Sequence, residues 1–180
     1  MKILKYIFLS LFLPVLLFFA VGFLKPVVKY GHTITVDKSA REAWAVHQDE
    51  TKYKQWLKGF KSIELIEGNA GEVGSKYKVV VNPGEGQPDF VMTETLTDKK
   101  EYEQISMDFD SDMMQFEQTT TFAEKNGKTT VSTDSKVRGK GAAMRSLFAL
   151  MEMFTGSFQK QEEENIENLK KVIEANAKNY

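Results

Sequence analysis

Gly139-Lys140-Gly141-Ala142-Ala143-Met144-Arg145-Ser146-Leu147-Phe148-Ala149-Leu150-Met151-Glu152-Met153-Phe154 opens the closing stretch of the chain, residues 139–180. Only Arg145, Ser146 and Glu152 interrupt the apolar residues between Ala142 and Phe154. A helix that is apolar nearly all round has to be covered on most sides or meet lipid. After Thr155-Gly156 the pattern changes. Phe158, Ile166, Leu169, Val172 and Ile173 form one stripe, while Glu162, Glu163, Glu164, Lys170 and Lys171 fall elsewhere. The chain therefore closes with a helix over 142–154, a break at Gly156 and an amphipathic helix over 158–175. That stripe is suited to lie on a sheet, and the residues before it read mostly as strands.

Working back from this end, Lys128 to Arg138 reads as a strand, and Asn126-Gly127 before it is the strongest hairpin signal in the chain. Met114–Phe122 and Tyr102–Phe109 precede it, with Met114, Phe116 and Phe122 on one face and Ile105, Met107 and Phe109 on another. In Asp89–Thr97 the residues Phe90, Met92, Glu94 and Leu96 alternate with Val91, Thr93, Thr95 and Thr97. Ser75–Val81 and Ser62–Glu67 are earlier strands, closed by Asn82-Pro83-Gly84-Glu85-Gly86 and Gly68-Asn69-Ala70-Gly71. The spacing predicts an antiparallel meander. Ahead of it, His32–Val36 alternates as a first strand. Ser39-Ala40-Arg41-Glu42 is a capping box opening a helix with Ala43, Trp44 and Val46. Asp49 or Thr51 caps a second short helix bearing Tyr53 and Trp56, which Gly59 ends. Pro26–Tyr30 reads as a linker.

The first residues form a separate unit. Tyr6–Leu24 carries no charge, and as a helix it is about 28 Å long, enough to cross a hydrocarbon core. A retained anchor is the favoured reading. A secretory signal peptide, with Ala20-Val21-Gly22 as its cleavage site, is the alternative. Lys2 and Lys5 favour an inside N-terminus, a single-pass anchor and an extracytoplasmic domain. The division is then residues 1–29, anchor and linker, and residues 30–180, one domain. The alternative leads to a secreted protein.

The 180 residues hold 42% hydrophobic and 27% charged side chains, ordinary globular material. With no cysteine, disulfides, thiolate nucleophiles, zinc ribbons and iron–sulfur sites are excluded. Net charge is −1, and since Lys2, Lys5, Lys25 and Lys29 meet no acid before residue 30, the remainder is mildly acidic. That argues against a nucleic-acid partner.

The order of elements is strand, two short helices, a run of strands, then long helix. Ile34-Thr35-Val36, Ala43-Trp44, Asp49 with Tyr53 and Trp56, the meander and the closing helix with Leu169-Lys170-Lys171 carry a resemblance. Over roughly His32–Ala175 the chain resembles the SRPBCC or START-like superfamily, also called polyketide cyclase/dehydrase-like or helix-grip proteins. The resemblance implies an α+β fold in which a curved antiparallel sheet of about seven strands wraps a long C-terminal helix. It also implies a hydrophobic cavity between the two, without implying a particular reaction.

Given such a cavity, its lining is expected from Trp56, Tyr77, Phe90, Met92, Glu94, Met107, Phe116, Gln118, Thr133, Met144, Phe148 and Met151, with Thr120 a further inward hydroxyl and the methionines an adaptable wall. Glu94 is singled out. On a cavity wall it would lose hydration and its pKa would rise, the setting of a general acid or of an anchor for a ligand hydroxyl or amine. Where the sheet twists, it would instead lie at an open rim in water, the more ordinary place. Arg138 is a possible partner, although alternation turns it away from Val137. Trp44, Tyr53 and Trp56 read first as packing. His32 and His47 read as surface or edge residues, with His47 suited to a helix C-terminus. Asp108-Phe109-Asp110-Ser111-Asp112 begins like a calcium loop, but Met113 stands where glycine is needed and Thr119 where a glutamate is needed, so an acidic hairpin turn is expected. Pro83-Gly84-Glu85-Gly86 lacks the helix and lysine of a phosphate loop and reads as a turn. No metal or cofactor site is expected.

With no catalytic constellation in view, the leading expectation is a membrane-tethered binding domain for a hydrophobic small molecule or lipid. One alternative is a cyclase/dehydratase-like enzyme with Glu94 as acid or base. The other is a structural or interaction subunit at the membrane, to which an exposed patch over 144–154 without a cavity would point. The segment Ala142–Phe154 is expected to close one end of the cavity or to lean toward a bilayer.

Overall fold

The computed structural model describes residues 2–84 and 86–177, leaving aside the side chains of residues 2–9 and 11. Helix α1 (Lys2–Leu24) precedes an antiparallel sheet built from β1 (Val28–Tyr30), β2 (Thr33–Val36), β3 (Phe60–Glu67), β4 (Lys76–Val81), β5 (Phe90–Lys100), β6 (Gln104–Asp110), β7 (Met114–Lys125) and β8 (Lys128–Gly139). Helix α2 (Ala40–His47), a 3₁₀ turn (Glu50–Lys52) and α3 (Tyr53–Trp56) follow β2, and α4 (Gly141–Thr155) and α5 (Ser157–Ala175) end the fold.

The sheet has eight strands in the order β1-β8-β7-β6-β5-β4-β3, with β2 also on β8. The expected linker at Pro26–Tyr30 is therefore partly a strand. Val28–Tyr30 pairs with Val137–Ser135, and Thr33–Val36 continues along Ser132–Thr129. One edge is thus interrupted at Gly31, where a Cβ would sit 2.2 Å from the Thr133 carbonyl oxygen, so only glycine fits. Elsewhere the meander forms as the spacing predicts. Asn126 and Gly127 both adopt positive φ, 55° and 73°, the twist a two-residue hairpin demands. Ser39 and Glu42 make both bonds of the capping box, the Ser39 hydroxyl accepting from the Glu42 amide at 3.3 Å. Asp49 caps the 3₁₀ turn rather than a regular helix, accepting from Thr51 N at 3.1 Å.

Gly156 ends α4 in the left-handed region, at φ 60°, and so turns the chain into α5. Ile166, Leu169 and Ile173 of α5 are buried against Ile34, Trp44, Val46, Leu96, Phe122 and Val131, which form the main core. A second cluster joins Val28, Val137 and Phe148, with Tyr30, Phe116, Met144 and Phe158 against it. Helix α4 buries Ser146, Phe148 and Ala149 and leaves Leu147, Met151, Met153 and Phe154 exposed, Phe154 by 77%.

Helix α1 packs on α4 at one close crossing. A Cβ on Gly22 would lie 2.5 Å from the Ser146 amide nitrogen, so the two backbones approach as only a glycine allows. The expected membrane span is not supported: among the described residues no helix is long and apolar enough to cross a membrane. The first part of the expected span, from Tyr6, has its side chains outside the described residues.

Candidate functional site

Between the inner face of the sheet and α5 lies a cavity of about 560 Å³. The alternation of each strand delivers its wall. β4 gives Val79 and Val81, β5 gives Phe90, Met92 and Glu94, β6 gives Met107 and Phe109, and β7 gives Met114, Phe116, Gln118 and Thr120. His47, Tyr53 and Trp56 close one end, and Tyr30, Phe158, Glu162 and Ile166 close the opposite side. Lys58 and Glu164 also line it and pair at 2.7 Å, both about half exposed.

The wall is mainly apolar, so each polar group on it stands out. Glu94 sits opposite Tyr77 on β4 and Phe109 on β6. Burial, and secondarily the charge of Glu50, push its carboxyl up from 4.5 to about 7. Arg138 is exposed on the outer face, in register with Gln115, and is no partner to it. Glu162, on α5, is only 6% exposed. Burial raises its carboxyl pKa, opposed by hydrogen bonds from Thr133 and Gln118 and by His32. The Gln118 amide donates to Glu162 Oε1 at 3.1 Å and to Ser135 Oγ at 3.2 Å. Tyr30 stacks between Phe116 and Phe158, and burial with the nearby Glu162 and Glu152 carboxylates holds its hydroxyl protonated. Trp56 Nε1 and Thr120 Oγ1 are buried with no hydrogen-bond partner among the described residues.

Of the expected lining, Trp56, Phe90, Met92, Glu94, Met107, Phe116 and Gln118 lie on the wall, and Tyr77, Thr133, Met144, Phe148 and Met151 do not. Tyr77 turns its hydroxyl to the Gly71 amide, at 2.7 Å. Thr133 lies off the wall, accepting from the His32 amide at 3.1 Å and bonding Glu162. Met144 and Phe148 pack in the second cluster, and Met151 faces outward, because α4 lies beyond the end of β8 and not across the sheet. The exposed patch over 144–154 and the cavity are thus both present.

His47, Tyr30 and Glu162 join the wall against expectation. His47 is 4% exposed, ringed by Trp56 and Phe122 at 5.4 Å each, and burial lowers its pKa to about 4. It is therefore neutral and does not serve as a cation at a helix end. Its Nδ1 lies 2.8 Å from the Gln48 amide nitrogen. His32 pairs with Glu167 at 3.0 Å. Glu162 stands four residues after Phe158 and four before Ile166, so helical period alone places it in the apolar stripe.

Among the described residues no group of three or more His, Asp or Glu side chains could hold a metal ion. The Asp108–Asp112 stretch closes the β6–β7 turn: the Ser111 hydroxyl accepts from Met114 N at 3.2 Å, and Asp110 pairs with Lys140 at 2.9 Å.

A family model described as polyketide cyclase/dehydrase and lipid transport matches residues 27–174. The chain belongs to this family. Solved structures share its fold. Ara h 8.0201 superposes with a TM-score of 0.63 at 16% identity, covering 83% of this chain and 99% of that one. A conserved protein from Geobacillus kaustophilus gives 0.65 at 16%, covering 81% and 95%. The di-domain ARO/CYC BexL from the BE-7585A biosynthetic pathway gives 0.61 at 16%, covering 84% of this chain and 52% of that one. Such identities establish the fold alone. No curated protein matches the chain in sequence. The helix-grip α+β architecture that the SRPBCC or START-like resemblance implies is present, with eight strands in place of about seven.

Proposed function

We propose that this member of the polyketide cyclase/dehydrase and lipid transport family binds a hydrophobic small molecule or lipid in the cavity between sheet and α5. One observation carries the reading. The wall is largely apolar, with aromatic side chains from both sheet and helices, and its volume of about 560 Å³ falls in the range of small-molecule sites. The family's description includes lipid transport. Native mass spectrometry of the purified full chain is expected to show one apolar compound per chain, removed by organic extraction. A chain that carries none, and that takes up no 1-anilinonaphthalene-8-sulfonate, overturns it.

The tether belongs to the same proposal. Phe12, Leu13, Leu16, Leu17, Phe19 and Phe23 of α1 are exposed, as are Leu147 and Phe154 of α4, which α1 packs against. Together they suit a lipid surface, with the domain on the extracytoplasmic side. Flotation of the full chain with phosphatidylcholine vesicles tests this, and a chain left in the soluble fraction counts against it.

Glu94 favours a second reading, in which the cavity catalyses a cyclisation or dehydration. A carboxyl held at about 7 by burial is poised to exchange protons near neutrality. Glu94→Gln would then abolish turnover with folding intact, and unchanged product formation would end the idea.

A further inference from the structure

The cavity wall holds a carboxyl group, that of Glu94, which no described residue pairs or hydrogen-bonds. Glu94 has no hydrogen bond or ion pair to any described residue, whereas Glu162 on the facing helix receives Gln118. Half-buried carboxylates are ordinarily paired or bonded, because desolvating a lone charge costs several kcal/mol. The groups around Glu94 only deepen the imbalance. Burial holds the Tyr53 hydroxyl on α3 protonated, and the Glu50 carboxylate on the 3₁₀ turn works against a charge on Glu94. The two lysines of the lining do not correct it. Lys58 is spent on Glu164, and Lys160 is exposed to solvent.

The remaining wall would suit a cation as well. Tyr53, Trp56, Phe60, Phe90 and Phe109 all line the same cavity. Aromatic faces attract ammonium groups, most strongly where water is excluded. Two further groups await a partner: Trp56 is 6% exposed and Thr120 fully buried, and Trp56 Nε1 and Thr120 Oγ1 bond to no described residue.

We propose that the ligand of this cavity is a hydrophobic amine, an apolar body with one basic nitrogen that seats against Glu94 within the aromatic wall. The inference rests on the cavity being a ligand site and narrows what enters it. Fatty acids and other carboxylates are disfavoured, since they would add a further acidic group to a space that already holds Glu94 and Glu162. Neutral lipids can fill the apolar volume but offer Glu94 no counterion.

Three probes with one aromatic body decide the matter: 2-(1-naphthyl)ethylamine, 2-(1-naphthyl)ethanol and 1-naphthylacetic acid, titrated calorimetrically into the full chain at pH 8. The amine is expected to bind about tenfold or more tighter than the alcohol, with the acid weakest. In Glu94→Gln the amine should fall to within about threefold of the alcohol, while the alcohol keeps its affinity. If the alcohol or the acid binds the wild-type chain as tightly as the amine, the amine proposal is overturned and the ligand site stands. If the variant keeps the full amine preference, Glu94 is not the anchor and the proposal is also overturned. If none of the three binds, both the proposal and the ligand site fall. The wild-type ranking decides even where the variant does not fold.

Discussion

Glu94 on β5 and Glu162 on α5 line one cavity from its two facing walls, and among the described residues only Glu162 is given donors. The difference follows from their neighbours. Opposite Glu162, β7 presents Gln118 and β8 presents Thr133 and Ser135, so amide and hydroxyl groups meet the helix. Beside Glu94 the wall is apolar or acidic. One carboxylate is built into the grip of helix on sheet, and the other is left available to the cavity.

Glu94 makes stability fall as pH rises. Its folded pKa, about 7, lies above the ordinary 4.5, so its protonated form is favoured by folding. The contribution is whole below pH 4.5 and is lost as pH climbs through 7, on the order of 3 kcal/mol in all. Glu94→Gln is expected to remove that decline and to exceed the wild-type chain in stability at pH 8. Urea unfolding of both proteins at pH 5 and pH 8 measures it, and parallel losses in the two would contradict the assignment.

His47 acts in the opposite direction. Burial lowers its pKa from 6.5 to about 4, so the folded state resists its protonation. Its contribution is whole above pH 6.5 and is lost as pH falls through 4, again on the order of 3 kcal/mol. His47→Gln should flatten the acid limb of the stability profile between pH 6.5 and 4. A direct check is the pH titration of the His47 ring by NMR, where a midpoint above 6 would refute the prediction.

Gln118→Ala should be costly because one amide serves two partners. It strips donors from Glu162 and from the Ser135 hydroxyl beneath α5. A loss of about 1–3 kcal/mol is expected, the cost of leaving a buried acceptor without its partner. Adding Glu162→Leu should recover part of it, which a double-mutant comparison by thermal unfolding will show.

Gly22→Leu tests the seat of α1 on α4. Any side chain at position 22 meets the Ser146 backbone, 2.5 Å from where its Cβ would stand. The overpacking should cost the contact about 1–3 kcal/mol. Hydrogen exchange should speed up in α4, while strands β4–β8 exchange as before. Unchanged protection of α4 would show that α1 does not hold it.

The meander, both terminal helices and the break at Gly156 were legible because each rests on local rules: period 2, period 3.6, an Asn126-Gly127 turn and a left-handed glycine. Glu94 was legible as a member of an inward face, since alternation along β5 leaves it no other. The edge strand Val28–Tyr30 was not, because three residues carry too little pattern and owe their form to pairing with Val137–Ser135. Glu162 and His47 show the same limit from the side of chemistry. A polar side chain inside an apolar stripe is read as a surface residue until a partner is seen, and the partners of Glu162 come from strands more than 25 residues away in sequence. By itself the sequence determined the order of elements apart from that edge strand and the apolar faces of strands and helix, and the family resemblance it carries implied the helix-grip architecture. Only the tertiary structure decided which carboxylate is satisfied and which is not, which methionines leave the cavity and where α1 lies, because burial and hydrogen bonding are set by contacts between distant segments.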